Sequence, residues 1–289
     1  LTVETAPEID AVLARRLVDT QFPHWAELPL RPHSPAGSDH VIYRLGDELS
    51  VRLPRHAGAI DQARKEAEWL PRLAPHLPLA IPVLVEVGEP DFGYPWRWAV
   101  SRWLDGEVAT VEALSGSHEA AGVLAEFLIA LHEFDAEATE DLTGQSLSTR
   151  DAATRSAIAE VGDAFDTAAL TELWDAALAA PERDRPPVWF HGDFHTGNLL
   201  TTNGRLSAVI DFGELAVGDP ARDLMIAFTL LSAETRATFR AALGVDDASW
   251  TRGRGWALAT GLNAYVSYAA VNPRIAANTT RQITHALAG

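Results

Sequence analysis

The chain has 289 residues, 47% apolar and 22% charged, with a formal net charge of −17. That length can bury a sizeable core as one large domain or two small ones. The composition excludes three classes: no apolar run approaches the ~18 residues of a membrane span, the acidic balance argues against a nucleic-acid binder, and the absence of cysteine removes disulfides and thiolate metal sites.

Acids at Glu4, Glu8 and Asp10, with no basic-then-apolar stretch, predict no signal peptide and a cytoplasmic enzyme. Residues 8–22 carry apolar positions at helical spacing (Ile9, Val12, Leu13, Leu17, Val18) and stop before Pro23. Val41 to Arg44, a Gly46-Asp47 turn and Leu49 to Leu53 predict a β-hairpin. A helix over about 57–74 and strands near 83–88 and 96–103 complete a β-rich first third. After "LDGE" (104–107) the pattern turns helical, at 117–134, 150–162, 166–180, 221–243 and 250–288. The β-like interruption there is 188–213. The composition shift places a boundary between residues 1–104 and 105–289, with Arg102 to Asp105 as the hinge.

"WFHGDFHTGNLL" (189–200) sets His, Asp, His and Asn in a glycine-containing loop between apolar arms. Such a stretch could be a buried turn whose Asp and Asn satisfy backbone groups. Thirteen residues after Asn198, "AVIDFGE" (208–214) delivers a second carboxylate, Asp211, at a strand end. Two carboxylates and a carboxamide form a hard-oxygen set of the kind that holds Mg²⁺ together with substrate phosphates. His191 and His195 could serve zinc, but they lie in a loop without a third ligand nearby.

His191-Gly192-Asp193, then Asn198, then Asp211-Phe212-Gly213 resembles the catalytic and metal-binding loops of protein kinases, in order and at similar spacing. Glycine after the histidine, together with "HGDFHTGNLL", "VIDFGE" and "GDPARDL" (218–224), resembles the aminoglycoside and macrolide phosphotransferases. The resemblance spans roughly residues 30–225. It implies an α+β, two-lobed protein-kinase-like fold, with a β-rich N-terminal lobe for nucleotide and a mainly helical C-terminal lobe for chemistry and acceptor. Asp193 then matches the catalytic base, and Asn198 and Asp211 the Mg²⁺ ligands. His191 is expected to fix the loop, while His195 either contacts phosphate or packs. Asp219 and Asp223 are expected to be structural, one capping the next helix and the other bracing the catalytic loop.

Kinases hold the nucleotide phosphates with a strand lysine paired to a helix glutamate. Here the matching strand position is Arg52. Lys65, the one lysine among 23 basic residues, lies on the following helix and cannot substitute. Arginine keeps the charge and can grip phosphate bidentately, but is not equivalent to lysine. At ~100° per residue Ile60, Ala63, Ala67 and Leu70 share one face; Glu66 borders it and Glu68 does not, so Glu66 should meet Arg52. The turn Ser34 to His40, with Gly37 and Ser38, is expected to cover the phosphates through backbone N–H groups. Main-chain groups near Arg102 and Leu104 should bond the adenine or guanine edge, with Trp103 beside it.

The reaction expected is Mg²⁺-dependent transfer of the γ-phosphoryl of ATP or GTP to a hydroxyl of a small antibiotic-like acceptor, with no nucleic-acid or membrane partner. A metabolite kinase for a sugar or amino alcohol, and a nucleotide-binding pseudokinase module, are the alternatives. From Ala248 to Gly289 there is no Asp or Glu but there are four arginines, with Trp250, Trp256, Tyr265 and Tyr268. A polyamine acceptor needs counter-charges, so this segment predicts a neutral or mono-cationic bulky acceptor, such as a macrolide or nucleoside antibiotic. "HEFDAEATED" (132–141) remains a source of acids.

Overall fold

The computed structural model describes residues 8–33, 39–136 and 142–289. The chain divides into two compact units, one of Leu1–Pro75, Ala80–Gly106 and Ala208–Gly213, the other of His76–Leu79, Glu107–Ser207 and Glu214–Gly289.

The first unit opens with α1 (Ala11–Gln21), started by Asp10, whose carboxylate accepts the Leu13 N–H at 2.7 Å. Such a cap is worth about 1 kcal/mol. Then come β1 (Leu30–Pro32), β2 (His40–Leu45), β3 (Leu49–Pro54), α2 (Gly58–Leu73), β4 (Leu84–Gly88) and β5 (Trp98–Arg102). The strands form one antiparallel sheet in the order β1-β2-β3-β5-β4. β2 and β3 are the expected hairpin, with Leu45 opposite Leu49. β1 was not expected; it runs along the edge and ends at Pro32, where a missing N–H is least costly. Leu17 and Val18 of α1 share a core with Tyr43, Val51, Trp98 and Val100. Val12 is 66% exposed, because Ala14, Leu17 and Val18 form the inward face and residue 12 falls outside that arc.

The second unit is mainly helical. Its helices are α3 (Val111–Leu114), α4 (His118–Glu133), α5 (Asp151–Val161), α6 (Thr167–Ala179), α7 (Ile226–Thr229), α8 (Ala233–Leu243), α9 (Asp247–Tyr268) and α10 (Pro273–Ala288). Short strands punctuate it: β6 (Glu107–Val108), β7 (Val188–Phe190), β8 (Leu199–Thr202), β9 (Arg205–Val209, its last two residues belonging to the first unit) and β10 (Ala216–Gly218). β10 pairs antiparallel with β7 and β6 with β8. β8 turns into β9 through Asn203-Gly204, both in the left-handed region that a two-residue hairpin requires.

Two long helices expected from periodicity are divided. Within 221–243 the chain makes a 3₁₀ turn over Pro220–Met225 and then α7, and restarts at α8 behind a Ser232–Thr235 capping box. The carbonyls opened at the break, those of Thr229, Leu230 and Leu231, accept the Arg281 guanidinium at 2.6–3.2 Å. The second expected helix, 250–288, stops at Asn272-Pro273. Proline lacks the N–H and crowds the residue before it, so α10 begins anew with Pro273 in its first turn. Among the described residues no helix is long and apolar enough to cross a membrane.

Two buried histidines resist protonation. Burial and the neighbouring Arg52 charge lower His40 to about 3, the Asp39 carboxylate opposing in part. Burial and Arg183 lower His132 to about 4. A histidine whose folded pKa lies below its unfolded value stabilises the fold above ~6.5 and loses that contribution as pH falls towards the folded value. We therefore expect the unfolding free energy to drop between pH 7 and pH 4.5, with a slope up to ~1.4 kcal/mol per pH unit for each such histidine. His132→Gln should flatten the slope, and an unchanged slope in that variant would assign the acid sensitivity elsewhere.

Candidate active site

In the second unit, β7 carries Trp189 and Phe190 into the core and delivers His191, which has no exposed surface. The turn that follows is held from below by Asp223, whose two carboxylate oxygens accept the N–H groups of His191 at 2.7 Å and Gly192 at 2.8 Å. Burial pushes the Asp223 carboxyl up to about 7, against the pull of those two N–H donors. The bracing expected of Asp223 and the cap expected of Asp219 are both present, Asp219 accepting the Ala221 N–H at 3.1 Å. Gly192 has φ +85, and a Cβ there would meet the Glu214 carbonyl oxygen at 2.3 Å. Only glycine fits. His191 Nδ1 accepts the Asp193 N–H at 3.1 Å, which fixes the loop from its inner side. Phe194 anchors the next position, fully buried and stacked on Phe127.

Asp193 is thereby presented half-buried. The Asn198 amide nitrogen donates to its carbonyl at 2.9 Å and its Oδ2 at 3.0 Å, and His195 Nε2 lies 3.3 Å from Oδ2. Burial acts to raise the Asp193 carboxyl, but the hydrogen bond and charge of His195, the charge of His191 and the Asn198 amide outweigh it and set it at about 2. His195 Nδ1 accepts the Gly197 N–H at 3.0 Å, so this ring packs against the loop and reaches the carboxylate at once.

Asp193 and His195 line a cleft of about 600 Å³ within the second unit, together with Thr229, Tyr268, Arg274 and Asn278. Besides Asp193, Glu112 is the one carboxylate in its lining among the described residues. Of the four aromatic residues expected at an acceptor face, Tyr268 alone lines the cleft. Trp250 and Trp256 are core residues, against Phe228 and under Arg222 respectively, and Tyr265 packs edge-on against Phe165. In a helix as buried as α9, aromatic residues are claimed by packing before any ligand. Glu112, Thr229 and Asn278 were not singled out from sequence, and no local signal ties them to a loop more than 30 residues away in either direction.

In the first unit, Arg52 Nη1 donates to Glu66 Oε2 at 2.6 Å, the contact expected from the helix-face argument. Both side chains are largely buried. The remaining guanidinium N–H groups of Arg52 make no hydrogen bond among the described residues, and Glu66 Oε1 is buried without one. Lys65 reaches instead to the Gly213 carbonyl, at 2.7 Å. Asp211 is exposed, and its φ of 64 is a left-handed conformation costly to a residue with a Cβ, of the kind found at functional sites. Arg102 ends β5, exposed and paired with Glu48, while its N–H bonds the Val83 carbonyl. The Leu104 main chain makes no hydrogen bond among the described residues. Trp103 donates to Asp105 and lies under Arg44. Gly37, Ser38 and most of the turn from Ser34 to His40 lie outside the described residues, as do 137–141 of the acidic stretch.

Among the described residues no three His, Cys, Asp or Glu side chains form a self-sufficient metal cage, and His191 and His195 each spend Nδ1 on a backbone N–H. With its nitrogen committed to Asp193, Asn198 has its carbonyl oxygen left as a ligand atom. That oxygen in the second unit and, separately, the Asp211 carboxylate in the first are each hard donors of the type that Mg²⁺ takes.

A β-rich unit with a buried strand-arginine to helix-glutamate pair, and a helical unit presenting the Asp193 loop, are the parts of a protein-kinase-like fold. Residues 30–256 match the model of the phosphotransferase enzyme family, APH, and the chain belongs to that family. Among solved structures, it is similar to the GDP and kanamycin complex of APH(2")-IIia, at 19% identity over 95% of this chain and 98% of that one, TM-score 0.74. The apoenzyme of macrolide 2'-phosphotransferase MphH from Brachybacterium faecium aligns at 24% identity over 93% and 96%, TM-score 0.65. The ADP-bound aminoglycoside phosphotransferase APH(2'')-Ib aligns at 18% over 96% and 98%, TM-score 0.63. These likenesses concern the fold. No curated protein matches the chain in sequence.

Gly192→Ala should be a severe loop mutation: a Cβ forced against the Glu214 carbonyl and held at positive φ should cost about 1–3 kcal/mol of stability. It should also displace Asp193. Its unfolding temperature, compared with that of Gly204→Ala, whose Cβ meets nothing within 4 Å, reads the difference. Equal losses would mean that φ alone, and not the clash, sets the cost.

Proposed function

We propose that this protein is a Mg²⁺-dependent kinase that moves the γ-phosphoryl group of ATP or GTP to a hydroxyl of an antibiotic-like small molecule, conferring resistance. The observation that carries this reading is the Asp193 carboxylate, held in the lining of a cleft of about 600 Å³ by a loop braced beneath it. Phosphoryl transfer asks the protein mainly for positioning and charge neutralisation. Asp193 accepts the acceptor hydroxyl proton and aligns its oxygen. Asn198 and Asp211 hold Mg²⁺, which neutralises phosphate charge when bound. Arg52, oriented by Glu66, clamps the α/β-phosphates with the guanidinium N–H groups that Glu66 does not use. Main-chain groups at Arg102 and Leu104 take the base edge, and Gly37 and Ser38 cover the phosphates. In this assignment residues 1–104 bind nucleotide and 105–289 carry the catalytic loop and acceptor site. The donor nucleotide places the enzyme in the cytoplasm. Asp193, Asn198 and Asp211 together argue against a pseudokinase.

The cleft lining supports a neutral or mono-cationic acceptor, such as a macrolide or nucleoside antibiotic, ahead of a polyamino sugar. Among the described residues its lining holds the carboxylates Asp193 and Glu112 together with the cation Arg274, little net negative charge for several ammonium groups.

Substitutions should separate the roles. Asp193→Ala should keep nucleotide affinity and lose transfer by a factor on the order of 10² or more. Asp211→Ala should also weaken Mg²⁺-dependent nucleotide binding. Unchanged turnover in the Asp193 variant would remove the mechanism. Arg52→Ala should raise the nucleotide KM and lower kcat, and Arg52→Lys should retain part of the activity; wild-type kinetics in Arg52→Ala would put the phosphate cation elsewhere. For the acceptor, a panel of macrolides, nucleosides and kanamycin-like polycations at fixed ionic strength decides. Efficient phosphorylation of the polycations alone would overturn the acceptor class and leave the kinase assignment standing.

A further inference from the structure

The one lysine of this arginine-rich chain is placed where it touches the second half of the nucleotide machinery. Lys65 Nζ donates to the Gly213 carbonyl at 2.7 Å across 148 residues of sequence, and the next residue of α2, Glu66, holds Arg52 at 2.6 Å. One turn earlier, Gln62 also lies against Gly213: a Cβ on that glycine would come 3.1 Å from the Gln62 amide carbon. Residues 62, 65 and 66 are i, i+3 and i+4, neighbours on one helix face. The other end of the same segment is pinned as well, Val209 donating its N–H to the Ala80 carbonyl at 2.9 Å. Asp211 lies between these two anchors, in its left-handed conformation. All of these contacts fall within the first unit.

We propose that Lys65 is a positioning residue that tethers the Asp211-Phe212-Gly213 loop to α2, so that one turn of one helix sets both the phosphate-clamping arginine and the metal-binding carboxylate. This deepens the kinase reading and rests on it. A backbone strained at Asp211 relaxes unless its surroundings over-determine it. The ammonium–carbonyl bond supplies that constraint at the C-terminal end of the loop. Any displacement of α2 then moves Glu66 away from Arg52 and drags the metal loop with it, so that both parts are aligned or misaligned together.

The test compares Lys65→Met, which keeps the apolar stem, with Lys65→Arg, which keeps a charged donor. Hydrogen–deuterium exchange of the enzyme free of metal and nucleotide reads the tether directly. Lys65→Met should speed exchange at residues 210–214, leave the β2–β3 hairpin at wild-type rates, and be rescued by Lys65→Arg. Binding of a fluorescent ATP analogue should then need about ten-fold more Mg²⁺ in Lys65→Met, with metal-free affinity unchanged. Wild-type exchange at 210–214, acceleration spread over the whole first unit, or an equal fall in metal-free affinity would each overturn the proposal. A wild-type chain that binds no nucleotide with Mg²⁺ would overturn the kinase reading itself, while the exchange comparison still reports whether Lys65 holds the loop.

Discussion

Asp223 has no exposed surface, and its carboxylate spends both oxygens on the amides of His191 and Gly192. A buried carboxylate is tolerated only when hydrogen-bonded, and here the bonding groups are the backbone of the loop that presents Asp193. The chain of support runs further back. Asp223 sits in the 3₁₀ turn that Asp219 caps, and Arg252 of α9 holds Asp219 at 2.6 Å. α9 also sends Thr260, Ala264 and Tyr268 into the cleft that Asp193 lines. The helix that braces the Asp193 loop thus also shapes the space in front of it.

In the first unit the organising contact is smaller and stranger. A strand arginine stands where protein kinases place lysine, and its partner glutamate uses one oxygen while the other is buried without a hydrogen bond. Lysine offers a compact charge on a flexible stem; arginine offers a planar fork with donors to spare. One Nη1–H secures the side chain to Glu66, and the remaining guanidinium N–H groups make no hydrogen bond among the described residues.

Net charge and local charge part company in this molecule. The chain carries −17 in total, whereas the described lining of the cleft beside Asp193 adds Glu112 and the cation Arg274. An acidic composition therefore does not predict a site for polycations. Screening over about 8 Å at physiological ionic strength leaves the lining, not the total, to choose the ligand.

Much was legible in the sequence because it is local. The β2–β3 hairpin follows from its turn and alternation, the Arg52–Glu66 contact from a helical angle, and the Asp193–Asn198 hydrogen bond from spacing within one short segment. Length and composition bounded the class, and order along the chain identified the family. Contacts between distant segments were invisible to such reasoning. That Trp250 and Trp256 are core rather than ligand face depends on what α9 packs against; that 221–243 breaks depends on Arg281, some fifty residues away, to satisfy the carbonyls of Thr229 to Leu231. Lys65, read from sequence only as a residue on the wrong element to replace Arg52, acquires a role because the fold brings Gly213 to its ammonium group. Periodicity and motif point to which elements form and to the family, since both depend on neighbours along the chain. Burial and long-range hydrogen bonds are shared among segments far apart, so the tertiary structure alone decides which side chains are left to face a ligand.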